Sequence, residues 1–365
     1  MNRISRRRFI VFTGTSSVSL IALKGCTANT GNQSASLVTE QSPISPSDEK
    51  ALYEAAKKEG KLVLYTVFFT QEIVNEIGAA FTAKYPGITF EGTRNAAATL
   101  FQKINQEIQA GLRVTDVFGT TDISQMIQLK DQARLLQYEP VNKANIPEPY
   151  RNLDPDNFYQ VGALIPIVIA YNTKKISATN VPRSWKDLVQ EQYRDQIATG
   201  SGAASGQVGT WAIAMQQKYG WDEYIVRFNQ LNPKLGRSIN DVIPVLVSGE
   251  RAIGIATLGQ TLTRKAQGDP LEVVYPTDGA VVVVGPIGIL RNAPHPNAAK
   301  LFMNFLTTKE YSELIAKYYE QPLTADVSIA GAKTLKDMQP TVPTSAEIQR
   351  NIPDVIRKWR DVFGA

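Results

Sequence analysis

Apolar runs and amphipathic stretches alternate along most of this chain at short spacing. Order is expected to begin near Ser45-Pro46-Ser47-Asp48-Glu49, because proline and acids suit a first helical turn. The helix through Leu52, Ala55 and Ala56 stops at Gly60, and Lys61-Leu62-Val63-Leu64-Tyr65-Thr66 reads as a buried strand. A helix over about 71–84 ends at Pro86-Gly87, and Ile88-Thr89-Phe90-Glu91-Gly92 is a second strand. A helix over about 99–110, a third strand at Asp116-Val117-Phe118-Gly119 and a helix from about Ile123 follow. Such alternation predicts a parallel α/β sheet.

The pattern breaks at Gly162–Tyr171, a long apolar run with Pro166 in its middle, which reads as a crossover between two lobes. A second α/β series runs from Val181 to Ala256. The apolar run Ala280–Leu290 then reads as the return, and helices from Asn297 and Ser345 finish the molecule. The expected organisation is therefore a bilobal α/β protein. Residues 47–163 form the first lobe, 164–280 the second, 281–335 the return to the first, and 336–365 a C-terminal helical segment.

Charge changes the picture at the N-terminus. The net charge is +5, but residues 1–25 hold Arg3, Arg6, Arg7, Arg8 and Lys24 with no acid, so the remainder balances at 34 basic and 34 acidic residues. A nucleic-acid partner needs a basic stripe, and none occurs after residue 25. Ser5-Arg6-Arg7-Arg8-Phe9-Ile10 resembles a twin-arginine export signal, and the apolar stretch behind it is too short and polar for a membrane span. Leu23-Lys24-Gly25-Cys26 resembles a lipobox, although Lys24 departs from the small or apolar residue usual there. Residues 1–26 are thus read as an export signal with Cys26 as the lipidation site, and the polar 27–46 as a tether. Cys26 is the sole cysteine, which excludes an intrachain disulfide.

Several stretches together carry a family resemblance: Leu52–Lys61, Phe81–Ile88, Thr115-Asp116-Val117, Ala170–Thr173, Ser248–Ile255 and Pro294–Phe302. In that order the chain resembles the family 1 extracellular solute-binding proteins, which include the ferric-iron-binding components of ABC importers. The resemblance implies a type II periplasmic-binding-protein fold, closure around a small-molecule ligand, and ABC permease and ATPase subunits as partners. It also implies a non-catalytic monomer outside the cytoplasm. It does not fix the solute.

Ferric members hold iron through adjacent tyrosines just after the strand that here reads Ala252–Ala256. This chain has Thr257-Leu258-Gly259-Gln260-Thr261 instead. Tyr318-Tyr319 is expected to pack at a helix end, and His295, between two prolines, to be exposed; neither reads as a metal ligand, and no cofactor is expected. What the expected cleft offers is neutral and rich in donors. Thr66 and Phe68 follow the first strand, Arg94 and Thr99 flank the third helix, and Thr120 and Thr121 follow the third strand at its carboxyl end, where open α/β sheets bind ligands. The second lobe offers Ser201, Gly202, Ser205 and Gln207 in "TGSGAASGQVG", then Ser238 in a capping-box pattern, and Gln260. Helix N-termini carry unpaired N–H groups and partial positive charge, so their convergence favours an anion. Arg94 can grip a carboxylate, phosphonate or phosphate through two bonds.

Two other readings remain at this stage: ferric iron, carried with an anion or through tyrosines such as Tyr65 and Tyr171, and a sensor lobe that binds a solute only to signal. A nucleotide enzyme is disfavoured. The G-x-G-x-x-x-G of residues 200–206 has no acid about twenty residues on to hold a ribose, and neither Ser201 nor Ser205 has the flanking glycines of a nucleophile elbow.

Overall fold

The two long apolar runs become the spine of the sheet. The computed structural model describes residues 48–364. The export signal, Cys26 and the tether lie outside the described residues. Ten strands are assigned: Lys61–Thr66 (β1), Thr89–Arg94 (β2), Val117–Gly119 (β3), Leu135–Leu136 (β4), Gln160–Asn172 (β5), Ile197–Gly200 (β6), Lys234–Gly236 (β7), Ile253–Thr257 (β8), Leu271–Val274 (β9) and Val281–Leu290 (β10). They run in the order β2-β1-β3-β10-β5-β8-β6-β7, with β4 paired to β10 and β9 to β5.

Each end of this sheet is parallel, as the alternation of strands and helices predicts: β1 lies between β2 and β3, and β6 between β7 and β8. The centre differs. β10 is antiparallel to β3 and β5, and β5 is antiparallel to β8. Every residue of β5 and β10 is buried, which is why both read as unbroken apolar runs rather than alternating ones. The two parallel ends, joined by this shared pair, make a bilobal α/β fold. The expected lobe boundary at 163/164 falls within β5, and that at 280/281 at the start of β10. Pro286 sits where the β5–β10 register shifts, a position where a missing N–H is tolerated.

Packing explains several small residues. The Phe68 ring is held in a notch between β3, β5 and β10: a Cβ at Gly119, Gly162 or Gly285 would stand 2.7, 2.9 or 2.4 Å from it. The C-terminal helix Ser345–Phe363 buries Ile348, Ile352, Val355 and Trp359 along one stripe. Its Trp359 lies over Gly202 and its Ile352 over Gly209, so it buttresses the helix Gly206–Tyr219. Burying side chains of this size contributes about 1.5–3 kcal/mol each.

His295 corrects an expectation. Its side chain is only 20% exposed and its Nδ1 lies 2.9 Å from Oδ2 of the buried Asp116. The His295 backbone N–H donates to the other carboxylate oxygen at 2.7 Å. Burial raises the Asp116 pKa, opposed by these bonds and by the N–H of Val63. His295 therefore fastens the start of the helix Pro296–Leu306 to β3's leading edge.

Candidate functional site

A helix begins with backbone N–H groups that no residue of the helix can satisfy. Nine helices of eight residues or more occur among the described residues, and six have these groups met by a side chain. Asp48, Thr70, Asp122, Thr308 and Thr344 accept from their own helices. Glu59 reaches from elsewhere to Asn297 and Ala298 at the start of Pro296–Leu306. In the other three, Ala97–Gln109, Gly206–Tyr219 and Leu258–Ala266, the N-cap residue makes no side-chain bond to its helix, although Asn95 Oδ1 accepts from the Ala96 N–H at 2.8 Å ahead of the first. All three open onto one cavity of about 130 Å³.

Their first residues line it. Asn95, Ala96 and Ala97 come from the first, Ser205 and Gln207 from the second, and Thr257 and Gln260 from the third. Arg94, the last residue of β2, enters beside them. Its guanidinium makes no hydrogen bond or ion pair among the described residues, and its Nε is fully buried without a partner. Burial pulls its pKa below the ordinary value. It stays cationic, since guanidinium is not deprotonated in proteins. Thr121, Ser238, Asn240 and Glu320 complete the polar part of the wall, and Val67, Phe69, Ile165 and Ala204 form its apolar part.

Ser205 is a residue type that caps helices well, yet its hydroxyl makes no bond to its own helix. The Oγ of Thr121 and Thr257 and the amide of Gln207 have no hydrogen-bond partner among the described residues either. Gln260 donates to Asn240 at 2.6 Å, which fixes that pair across the rim. Gly206 lies against the Thr121 carbonyl, where a Cβ would stand 2.9 Å from the oxygen, so the two halves of the cavity meet there. Phe69, on its wall, and Tyr319, the residue before Glu320, both have left-handed backbones, with φ of 63° and 61°. Bulky residues adopt that conformation rarely, and such strain clusters at functional sites.

The twelve residues singled out from sequence divide evenly. Arg94, Thr121, Ser205, Gln207, Ser238 and Gln260 line this cavity. The other six do not. Thr66 is buried and its Oγ1 accepts from the Phe68 N–H at 3.1 Å, while Phe68 fills its glycine notch. Thr120 is buried and donates to Gln125 at 2.8 Å. Ser201 accepts from Ala203 at 3.2 Å, closing a tight turn. Gly202 makes room for Trp359, and Thr99 is exposed on its helix. The capping box at Ser238 is present, with the Asp241 carboxylate accepting from the Ser238 N–H at 3.0 Å.

The tyrosines do not converge. Tyr65 is buried and donates to Glu107 at 2.9 Å, and Tyr171 lies toward the far end of β5, where it pairs with β8 and β9. Tyr318 and Tyr319 both pack against apolar clusters, as expected, and Tyr318 also lines a second cavity of about 580 Å³. That cavity shares Phe69, Arg94, Asn240, Gln260 and Glu320 with the first. Among the described residues no three His, Cys, Asp or Glu side chains come together as a metal site. No helix among them is long and apolar enough to cross a membrane.

The sequence profile of the family described as bacterial extracellular solute-binding protein matches residues 114–349, well over half of the chain. The chain belongs to this family. It is similar in structure to the periplasmic binding protein AfuA of Actinobacillus pleuropneumoniae, solved with fructose-6-phosphate bound. The two are 25% identical, with 84% of this chain and 99% of AfuA covered at a TM-score of 0.70. Iron-bound HitA of Pseudomonas aeruginosa shares the fold, at 20% identity and a TM-score of 0.71 over 83% of this chain and 99% of HitA. A probable ABC transporter periplasmic-binding protein of Sinorhizobium fredii is 23% identical over 60% of this chain and 63% of its own length.

Proposed function

We propose that the protein is the solute-binding component of an ABC importer and that its solute is a small organic anion: a phosphonate, a sugar phosphate or a carboxylate. One observation carries this reading. Among the described residues, three long-helix starts whose N-cap residue makes no side-chain bond converge on one cavity, beside an arginine whose guanidinium has no partner. Unpaired N–H groups and an unpaired guanidinium are costly to leave dry, and an oxyanion satisfies both kinds of donor at once. The fructose-6-phosphate held by AfuA is an anion of this class. Closure of the lobes would follow from tighter contact with the anion in the closed form, and the loaded form would be handed to a permease. The site of action would be the periplasm or cell surface, reached by the twin-arginine route and retained by a lipid on Cys26.

Ferric iron is the competing cargo. A hard trivalent cation prefers several anionic oxygens, and Glu320 is the only carboxylate on the wall of the first cavity, which has no tyrosine. A thermal-shift panel decides between them. An organic anion at about 100 times its dissociation constant should add about 2.7 kcal/mol of stability. A shift with ferric salts and none with phosphonates, sugar phosphates or carboxylates would overturn the proposal.

A further inference from the structure

We infer that Glu320 is a second ligand contact and that the solute is a zwitterion, with its anionic group at Arg94 and a protonated amine at Glu320. This rests on the reading of the cavity as an anion trap and names the solute more narrowly.

Glu320 lines both cavities, as Arg94 does. Its carboxylate has no hydrogen bond or ion pair among the described residues, and the two side chains lie beyond ion-pair distance of each other. The Glu320 carboxylate stands over Gly259, where a Cβ would be 2.7–2.8 Å from its oxygens, without bonding an N–H of that helix start. The left-handed Tyr319 immediately before it turns the chain out of the helix Lys309–Ala316 at this point. Burial raises its pKa to about 7, with no neighbouring charge opposing the rise. Above about pH 7, where Glu320 is ionised, the wall of the first cavity holds one cation and one anion without partners among the described residues and is neutral overall. A purely anionic solute would answer Arg94 and leave the carboxylate both desolvated and repelled. A neutral hydroxyl would give it one bond but no compensating charge. A solute with both signs answers both groups, and a desolvated charge gains most from a charged partner.

Calorimetric titration of the full chain tests this with 2-aminoethylphosphonate and propylphosphonate, in which a methyl group replaces the ammonium. The amine is expected to bind at least about tenfold tighter, the scale of one charge-assisted bond. Above pH 7, Glu320→Gln should bring that ratio to about one by weakening the amine, while propylphosphonate, relieved of the carboxylate's repulsion, binds no more weakly than to wild type. If wild type binds the two compounds equally and Arg94→Ala abolishes both, the assignment of Glu320 is overturned and the anion trap stands. Fructose-6-phosphate binding more tightly than the amine, and weakened by Glu320→Gln, would make Glu320 a hydroxyl contact and overturn the zwitterion. If neither phosphonate, nor fructose-6-phosphate, nor citrate binds, both readings fall. The wild-type ratio needs no variant, so misfolding of Glu320→Gln does not remove the test.

Discussion

The helices Gly206–Tyr219 and Ser345–Phe363 pack against each other, and both begin at a hydroxyl residue. At Thr344 the hydroxyl accepts from the Glu347 N–H at 3.2 Å, and the Glu347 carboxylate returns the bond to the Thr344 N–H at 2.8 Å. Ser205 makes neither kind of bond, and its helix start faces the cavity. Same residue class, same neighbourhood, opposite use: one hydroxyl closes its helix and the other is left open. On the proposed function, the difference separates a residue that stabilises the fold from one that would contact the solute.

The largest effect is expected at Arg94. Removing one partner of a buried charged contact costs about 2–5 kcal/mol, so Arg94→Ala should weaken anion binding at least about thirtyfold by calorimetry. The unliganded variant should melt no lower than wild type, because the lost charge had no partner. Undiminished binding would remove Arg94 from the site. Next comes the meeting of the two halves. Gly206→Ala places a Cβ against the Thr121 carbonyl and should cut affinity about tenfold, roughly 1.4 kcal/mol, by resisting closure. Solution scattering with saturating solute should show a less compact particle than wild type; unchanged affinity and compaction would show that the halves do not close there.

The two hydroxyls offer the direct test of the comparison. Thr344→Ala should cost about 1 kcal/mol of unfolding free energy and leave binding intact, as loss of a cap does. Ser205→Ala should do the reverse, weakening binding about three- to tenfold with denaturation unchanged, the worth of one hydrogen bond. Equal stability losses in both variants would erase the distinction. The last test is the titration of Glu320. Its folded pKa of about 7 lies above its ordinary 4.5, so between these values the folded chain holds the extra proton. Stability without solute should therefore fall as pH rises from about 4.5 to about 7 and level off above. Glu320→Gln should remove that slope in denaturant titrations.

Much of the fold was legible because period and punctuation agreed: Gly60 and Pro86-Gly87 mark element ends where the structure has them. The antiparallel centre was not, since a fully buried strand reads the same in either direction, and only the partner's path decides. At the site, Arg94 and Ser205 were visible because polar residues at or just beyond strand ends of an open α/β sheet face the crevice where ligands bind. Thr66, Thr120 and Ser201 carried the same signal but spend their hydroxyls on local turns and buried bonds, a choice made by backbone geometry. Glu320 gave no local sign. It arrives from the return segment, far along the chain from every other residue of the wall, and only folding brings it to Gly259.

Trp359 lies on Gly202, in the same short loop that ends at Ser205, and its ring stacks on Phe363 with centroids 4.2 Å apart. An indole in van der Waals contact with a moving backbone changes its emission when that backbone shifts. A shift of that loop on solute capture would therefore change the emission of Trp359. With Trp185, Trp211 and Trp221 replaced by phenylalanine, the remaining fluorophore would follow solute capture in real time and separate the arrival of the solute from the movement of the loop.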